Sequence, residues 1–428
     1  MAISPAQHNR SISPPITGQV ADHPAWTMPL ESIDPSDGYL HRDNSIGEYF
    51  ARLRRDAPVH WCAESRFGPY WSVTRYRDIM SVEMNHKVFS SDGRLGGITL
   101  PGGGAREGAS FIEMDPPEHD IKRKTVSPVA EPPNVARLEP IIREHVIDIV
   151  ESLPTNETFD WVETVSVELT TRMLATLFDF PFEERRLLPY WSDIATGHPK
   201  DNGPVESYEM RQAELAKCLA RFTQMWNDRV NQPPSPDLIS MMAHSPATRN
   251  MNPKEFMDTL ILLIVGGNDT TRNSITGGLL ALNEHPEQYG KLRANPDLVK
   301  TLVPEIIRWQ TPLAHMARTA KEDVMVADQQ IRKGERVVMW YLSANRDDSM
   351  IDRANEFLID RTKPRQHLSF GFGIHHCVGS RLAEAQLRIL WEELLKRHPK
   401  ISVVGEAERN LSNFVHGFVS MPVRIEAS

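Results

Sequence analysis

Phe370-Gly371-Phe372-Gly373-Ile374-His375-His376-Cys377-Val378-Gly379 is a glycine-rich turn that runs into a periodic helix starting near Ser380. Glycine has no Cβ, so such a turn can bend tightly and bring its backbone close to a flat object. The helix start places positive dipole near the Cys377 sulfur. A thiol in that setting is expected as the thiolate, the form that binds metal or attacks a substrate. Three readings of Cys377 compete: a buried packing residue, a nucleophile with His375 or His376 as its base, and a metal ligand. Zinc would want three or four ligands at recognisable spacing, and Cys62 and Cys218 lie far away in sequence.

The rest of the chain narrows the choice. Its 428 residues, 40% hydrophobic and 25% charged, describe a soluble globular protein long enough to bury a large core. Acidic side chains outnumber basic ones, 57 to 48, which argues against nucleic acid as the main partner. Three scattered cysteines imply no disulfide framework and fit a reducing compartment. Residues 1–30 hold no apolar stretch long enough for a signal or anchor, so a flexible arm, one domain over 31–428, no membrane span and a cytoplasmic location are expected.

Hydrophobic periodicity predicts a helix over 45–56, then a hairpin with strands at 59–62 and 70–76. Residues 92–108 are crowded with glycine (Gly93, Gly96, Gly97, Gly102, Gly103, Gly104 and Gly108) interleaved with Leu95, Ile98 and Leu100, and read as a mobile lid or binding loop. Helices are predicted over 119–127, 134–153, 162–177, 183–196, 207–229 and 252–285, with strands only at 324–326, 336–340 and 414–425. The fold class is mainly α with a small β part.

The helix from Asn252 has a marked start, with an N-cap, Pro253 in its first turn and Glu255 at the capping-box position. Leu260 to Val265 is apolar on every side and is expected to be buried all round. Gly266-Gly267-Asn268-Asp269-Thr270-Thr271 then interrupts it. Two mid-helix glycines cost roughly 1 kcal/mol each against alanine, and a buried acid adds a desolvation cost. One account is a kink with threonines bonded back to the preceding turn. At 100° per residue Leu262, Val265, Gly266, Asp269 and Thr270 share a face.

A haem iron needs only one axial ligand from the protein, and cysteine thiolate can supply it. Phe370, Gly373, His375, Cys377 and Gly379 match the pattern Phe-x-x-Gly-x-His-x-Cys-x-Gly, which resembles the haem-binding loop of cytochromes P450. Gly-Gly-x-Asp-Thr-Thr at 266–271 is similar to that family's oxygen-binding groove. The resemblance implies the cytochrome P450 fold, haem b (iron protoporphyrin IX) as cofactor, and Cys377 as its metal ligand. It further implies that Gly266 and Gly267 open room beside the iron while Asp269 and Thr270 relay protons to dioxygen. Glu305, Arg308 and Arg361 stand in the family's order for a structural ion network, and His119, Arg123, Arg318 and His375 for contacts to the haem carboxylates.

A family member of this kind is a monooxygenase that inserts one oxygen atom of dioxygen into a C–H bond. The strings around Gly266 and Phe370 resemble bacterial terminal hydroxylases of alkanes and fatty acids, which implies ω-hydroxylation of a small apolar substrate with a medium-length chain. Leu262, Val265, Leu313, Ala314 and Phe418 are candidate walls of a narrow channel. A cyclic terpenoid or other compact apolar substrate is the alternative within enzymes, and a haem-based sensor or carrier the alternative outside them. No nucleotide-binding glycine pattern is present, so a ferredoxin and a ferredoxin reductase using NAD(P)H are the expected electron source. Lys122, Arg123, Lys124 and Arg381 offer a candidate basic docking patch for that partner.

Overall fold

The computed structural model describes residues 22–100, 110–197, 203–398 and 400–426. From the N-terminal side, α1 (Ile46–Asp56) leads into a hairpin of β1 (Val59–Cys62) and β2 (Tyr70–Val73), then α2 (Tyr76–Met84) and the short β3 (Phe89–Ser90). The helical body follows as α3 (Glu118–Val126), α4 (Pro132–Glu151), α5 (Glu168–Phe178), α6 (Leu187–Thr196), α7 (Tyr208–Val230), α8 (Pro253–Glu284) and α9 (Val299–Gln310). Strands β4 (His315–Ala320) and β5 (Arg336–Trp340) return to the sheet, and α10 (Ser380–Arg397) completes the body.

The axis is α8. Its capping box is formed in both directions between Asn252 and Glu255, and its 32 residues span about 48 Å at 1.5 Å each. Leu260, Ile264, Asn268, Thr271, Ile275, Leu279 and Leu282 recur three or four apart and are all buried, so the stripe is apolar at its ends and polar at its middle. Around it α4, α5, α7, α9 and α10 contribute to one large apolar core that holds Trp161, Phe222 and Trp391.

The sheet has the order β1-β2-β5-β4-β3, antiparallel except between β2 and β5. Val337 and Met339 of β5 join one core cluster while Val338 and Trp340 join another on the opposite face. That alternation buries the strand on both sides.

Most predicted elements are present, with shifted ends. The strand predicted over 70–76 stops at Val73, because Tyr76 already opens α2. The helix predicted over 162–177 begins as a π-helical stretch, Val162–Val167, before turning α-helical. Helices α2, Leu238–His244 and Pro286–Ala294 and strand β4 were not anticipated. Part of the arm is packed: Ala25 is fully buried, and Arg52 donates to the carbonyls of Ala25 at 2.6 Å and Met28 at 2.7 Å. Residues 1–21 of that arm lie outside the described residues.

The glycine loop divides in the same way. Up to Leu100 it is tied to the sheet, since Ala317 N donates to Ile98 O at 2.7 Å and Arg336 donates to the carbonyls of Gly97 and Thr99 at 2.9 and 2.5 Å. This anchoring corrects the expectation of a mobile loop for that half. Residues 101–108 lie outside the described residues.

Candidate functional site

The Cys377 loop is held shut by its own backbone, with Cys377 N donating to Phe370 O at 2.8 Å. Gly371 and Gly373 adopt φ of 66° and 63°, the left-handed region that side chains resist. At Gly373 the restriction is double, because an added Cβ would meet Glu83 O at 2.8 Å. Gly379 departs from the expectation of a glycine needed for a tight turn. It has φ of −87° and serves as the N-cap position of α10.

Cys377 opens into a cavity of about 690 Å³ that Arg123, Phe370, His376 and Arg381 also line. Its thiol is pushed up from the ordinary value by burial, against the backbone N–H groups of Gly379 and Ser380 and the Arg123 charge. Cys377 itself is exposed, and those N–H groups and the Arg123 charge favour the thiolate expected at a helix start, as a bound cation would further.

The loop rests on a fixed frame. Ser369 Oγ donates to Ile307 O at 2.7 Å, and Asn345 accepts from Leu368 N at 2.7 Å while donating to Ser369 Oγ at 2.8 Å. Behind it Arg308, without exposed surface, donates to both carboxylate oxygens of Glu305 at 2.8 and 2.7 Å. Arg361 donates to the same carboxylate at 2.8 Å. The three residues predicted as an ion network thus form one.

Four cationic or aromatic groups gather beside the loop as anticipated. The rings of His119 and His375 stand 4.4 Å apart. His375 Nε2 shares a 2.7 Å hydrogen bond with Ser91 Oγ, and His119 Nδ1 shares one of 2.7 Å with Asp120. Burial, together with neighbouring cations such as Arg318, keeps His375 well below the ordinary imidazole value, and burial lowers His119. Arg123 bonds the carbonyl of His376. Arg318 is paired with buried Glu83 at 3.1 Å. Two atoms of this group, His119 Nε2 and His375 Nδ1, are buried with no partner among the described residues.

Across the helical body, α8 separates its two glycines by role. A Cβ at Gly266 would meet nothing within 4 Å, whereas one at Gly267 would strike Leu174 of α5 at 2.8 Å. Only Gly266 borders open space, so Gly267 is a packing glycine, contrary to the expectation for both. Leu262, Val265 and Thr270 are partly exposed, and of the segment 260–265 only Leu260 and Ile264 are buried, although Leu262 and Leu263 still pack against the edge of the main core. Thr270 Oγ1 donates to Gly266 O at 3.0 Å, the back-bonded geometry anticipated for a kink. Asp269 leaves the shared face: it is fully buried, 3.0 Å from Arg272, with its carboxyl pushed up by burial.

Of the candidate channel walls, Leu313 bridges Val415 and is partly exposed. Ala314 is not a wall; it is fully buried in the cluster of Trp340 and Leu342. Phe418 is also packed away, stacked under Arg409 at 4.3 Å and with its N–H on Asn273 Oδ1.

Comparison with known proteins decides the identity. The cytochrome P450 family model matches residues 133–426. The chain belongs to the cytochrome P450 family. It is 45% identical to the solved structure of CYP153D17 from Sphingomonas sp. PAMC 26605, covering 92% of this chain and 99% of that one with a TM-score of 0.85. It is 36% identical to linalool 8-monooxygenase of Pseudomonas putida over 92% of this chain and 99% of that protein. It is 31% identical to a methyl-branched lipid omega-hydroxylase of Mycobacterium tuberculosis, over 95% and 98%. This P450 is a monooxygenase, and its family implies haem.

The residues present fit that group. An accessible cysteine sulfur, a helix with open space at Gly266, and two buried imidazole nitrogens lacking partners suit an iron porphyrin and its carboxylates. If His375 Nε2 accepts from Ser91, its Nδ1–H is the free donor toward a carboxylate. Ser91, Glu83 and Asn268 escaped the sequence reading. Glu83 had left a signal, an acid four residues after Ile79 on the buried face of α2. No helix among the described residues is long and apolar enough to cross a membrane.

Proposed function

We propose that this P450 hydroxylates the terminal carbon of medium-length linear alkanes or fatty acids. The observation that carries the reading is on α8, where an added Cβ at Gly266 would meet nothing within 4 Å and Leu262 and Val265, on the same face, are partly exposed. Terminal C–H bonds are stronger than their neighbours, so attack there requires a passage that admits only the chain end. A relative that acts as an omega-hydroxylase and one named for oxidation of linalool at position 8 support attack at an end.

Bound haem b, ligated through Cys377, would supply dioxygen activation. Arg123, Arg318, His119 and His375 would hold its carboxylates. Thr270 offers a hydroxyl on the open side of α8, and Asp269, with its raised carboxyl, is the acid that replenishes a proton there. Incubation of the reconstituted enzyme with octane and dodecanoate tests the reading: ω-alcohols are expected, and exclusively subterminal alcohols overturn it. A terpenoid substrate is the second reading, favoured by the linalool-oxidising relative, and spectral titration with terpenoid alcohols discriminates the two.

Electrons are expected from a ferredoxin and its NAD(P)H-dependent reductase. Of the four candidate docking cations, Lys122 is engaged with Glu255 at 2.8 Å and Arg123 with His376. Lys124 and Arg381 are exposed, Arg381 on the rim of the Cys377 cavity, and carry the proposal. Reversing both charges should lower ferredoxin-supported turnover at low salt, and unchanged kinetics would remove the patch.

A further inference from the structure

Asn268 occupies the centre of the buried stripe of α8 with no exposed surface. An amide there is costly unless both its ends are satisfied, and asparagine is a poor helix former besides. Both ends are satisfied, by groups of opposite character. Thr170 Oγ1 of α5 lies 2.9 Å from Asn268 Oδ1, nearer than its 3.1 and 3.2 Å to the carbonyls of Ser166 and Val167. Asn268 Nδ2 donates to Asp269 Oδ1 at 3.0 Å. A flipped amide would set oxygen against carboxylate, so the chemistry fixes its orientation.

The neighbouring acid is correspondingly asymmetric. Oδ1 of Asp269 receives Asn268, Arg272 at 3.0 Å and Ser192 Oγ of α6 at 3.3 Å. Oδ2 is buried with no partner among the described residues. Donors gathered on one oxygen hold negative charge there, and a proton taken up by the carboxyl belongs on the other.

We propose that Asn268 is a positioning residue: anchored by Thr170, its amide pins Oδ1 of Asp269 and leaves Oδ2 as the oxygen that carries and releases the proton. The inference rests on Asp269 being the acid of the proposed function. The step is a proton transfer alone, in which the Oδ2–H bond breaks toward the reacting oxygen and Oδ2 regains a proton from solvent. The charged groups bearing on the acid are Arg272 on its own helix, Asp193 of α6, which binds Arg272 at 2.8 Å, and Glu163, whose charge acts on Arg272. The Asn268 donor favours the ionised carboxyl, so its removal should move the titration to higher pH.

The test uses the holoenzyme with Asn268→Leu, Thr170→Val, Thr170→Ser and Asp269→Asn. The readouts are the infrared carboxyl band that Asp269→Asn abolishes, titrated with pH, the product formed per NAD(P)H consumed, and substrate-induced spectral shifts. Asn268→Leu and Thr170→Val should both move the band's midpoint to higher pH and lower coupled turnover, roughly tenfold for Asn268→Leu. Substrate affinity should not change, and Thr170→Ser should restore both properties. Wild-type midpoint and coupling in Thr170→Val, or lost coupling with an unmoved midpoint, overturn the inference. If Asn268→Leu fails to fold, the Thr170 pair decides alone. Wild-type coupling in Asp269→Asn instead removes the acid on which the inference stands.

Discussion

Arg361 donates Nε to Glu305 Oε2 at 2.8 Å, and the same carboxylate takes two bonds from Arg308. Glu305 also accepts from Leu358 N at 2.7 Å, so one buried acid joins α9 to the segment that precedes the cysteine loop. Replacing Glu305 by Gln removes the one carboxylate that pairs with Arg308 among the described residues, and the buried charge then has no solvent to turn to. Breaking such a pair costs about 3–5 kcal/mol. Glu305→Gln is expected to lower the midpoint of thermal unfolding sharply and to reduce the haem retained after purification; an unchanged melting curve would contradict the network's role.

His41 and His315 flank the ring of Trp340, with centroids 5.7 and 4.8 Å away. Burial lowers His41 from 6.5 to about 4 and His315 to about 3. Below pH 6.5 the unfolded chain takes up protons that the folded chain refuses, so stability falls as pH falls from 6.5 toward those values. The loss is about 2 kcal/mol for each histidine by pH 5. Denaturant midpoints measured at pH 7 and pH 5 should differ accordingly, and the difference should shrink in His41→Gln. Equal midpoints in the parent protein would show that neither ring is held neutral.

Much of this was legible in the sequence, for identifiable reasons. The cysteine loop, the acid–threonine segment and the Glu305–Arg308 pair are local strings, and local strings survive without knowledge of packing. What escaped was set by contacts between distant segments. Strand β4 mixes His315, Arg318 and Thr319 with small residues, and shows no alternation because both its faces are covered. The different fates of Gly266 and Gly267 depend on Leu174 of another helix. Glu83, which holds Arg318, and Ser91, which holds His375, are single polar residues whose partners lie more than two hundred positions away.

The glycines of the site should respond differently to one added methyl group. Gly266→Ala meets nothing within 4 Å and should raise the melting temperature, by the roughly 1 kcal/mol that alanine gains over glycine inside a helix, while altering substrate-induced spectra. Gly373→Ala places a side chain at φ of 63° and 2.8 Å from Glu83 O. The backbone conformation alone costs roughly 1–2 kcal/mol, and the clash adds to it. Comparable melting temperatures for the two variants would show that the loop relaxes freely.

The account depends most on the sulfur of Cys377. Reduction of the haem-reconstituted protein under carbon monoxide should give the red-shifted Soret band of a thiolate-ligated iron, and Cys377→Ala should abolish that band while leaving the far-ultraviolet circular dichroism intact. A parent protein that takes up no haem, or a Cys377→Ala protein that keeps the shifted band, would contradict the assignment.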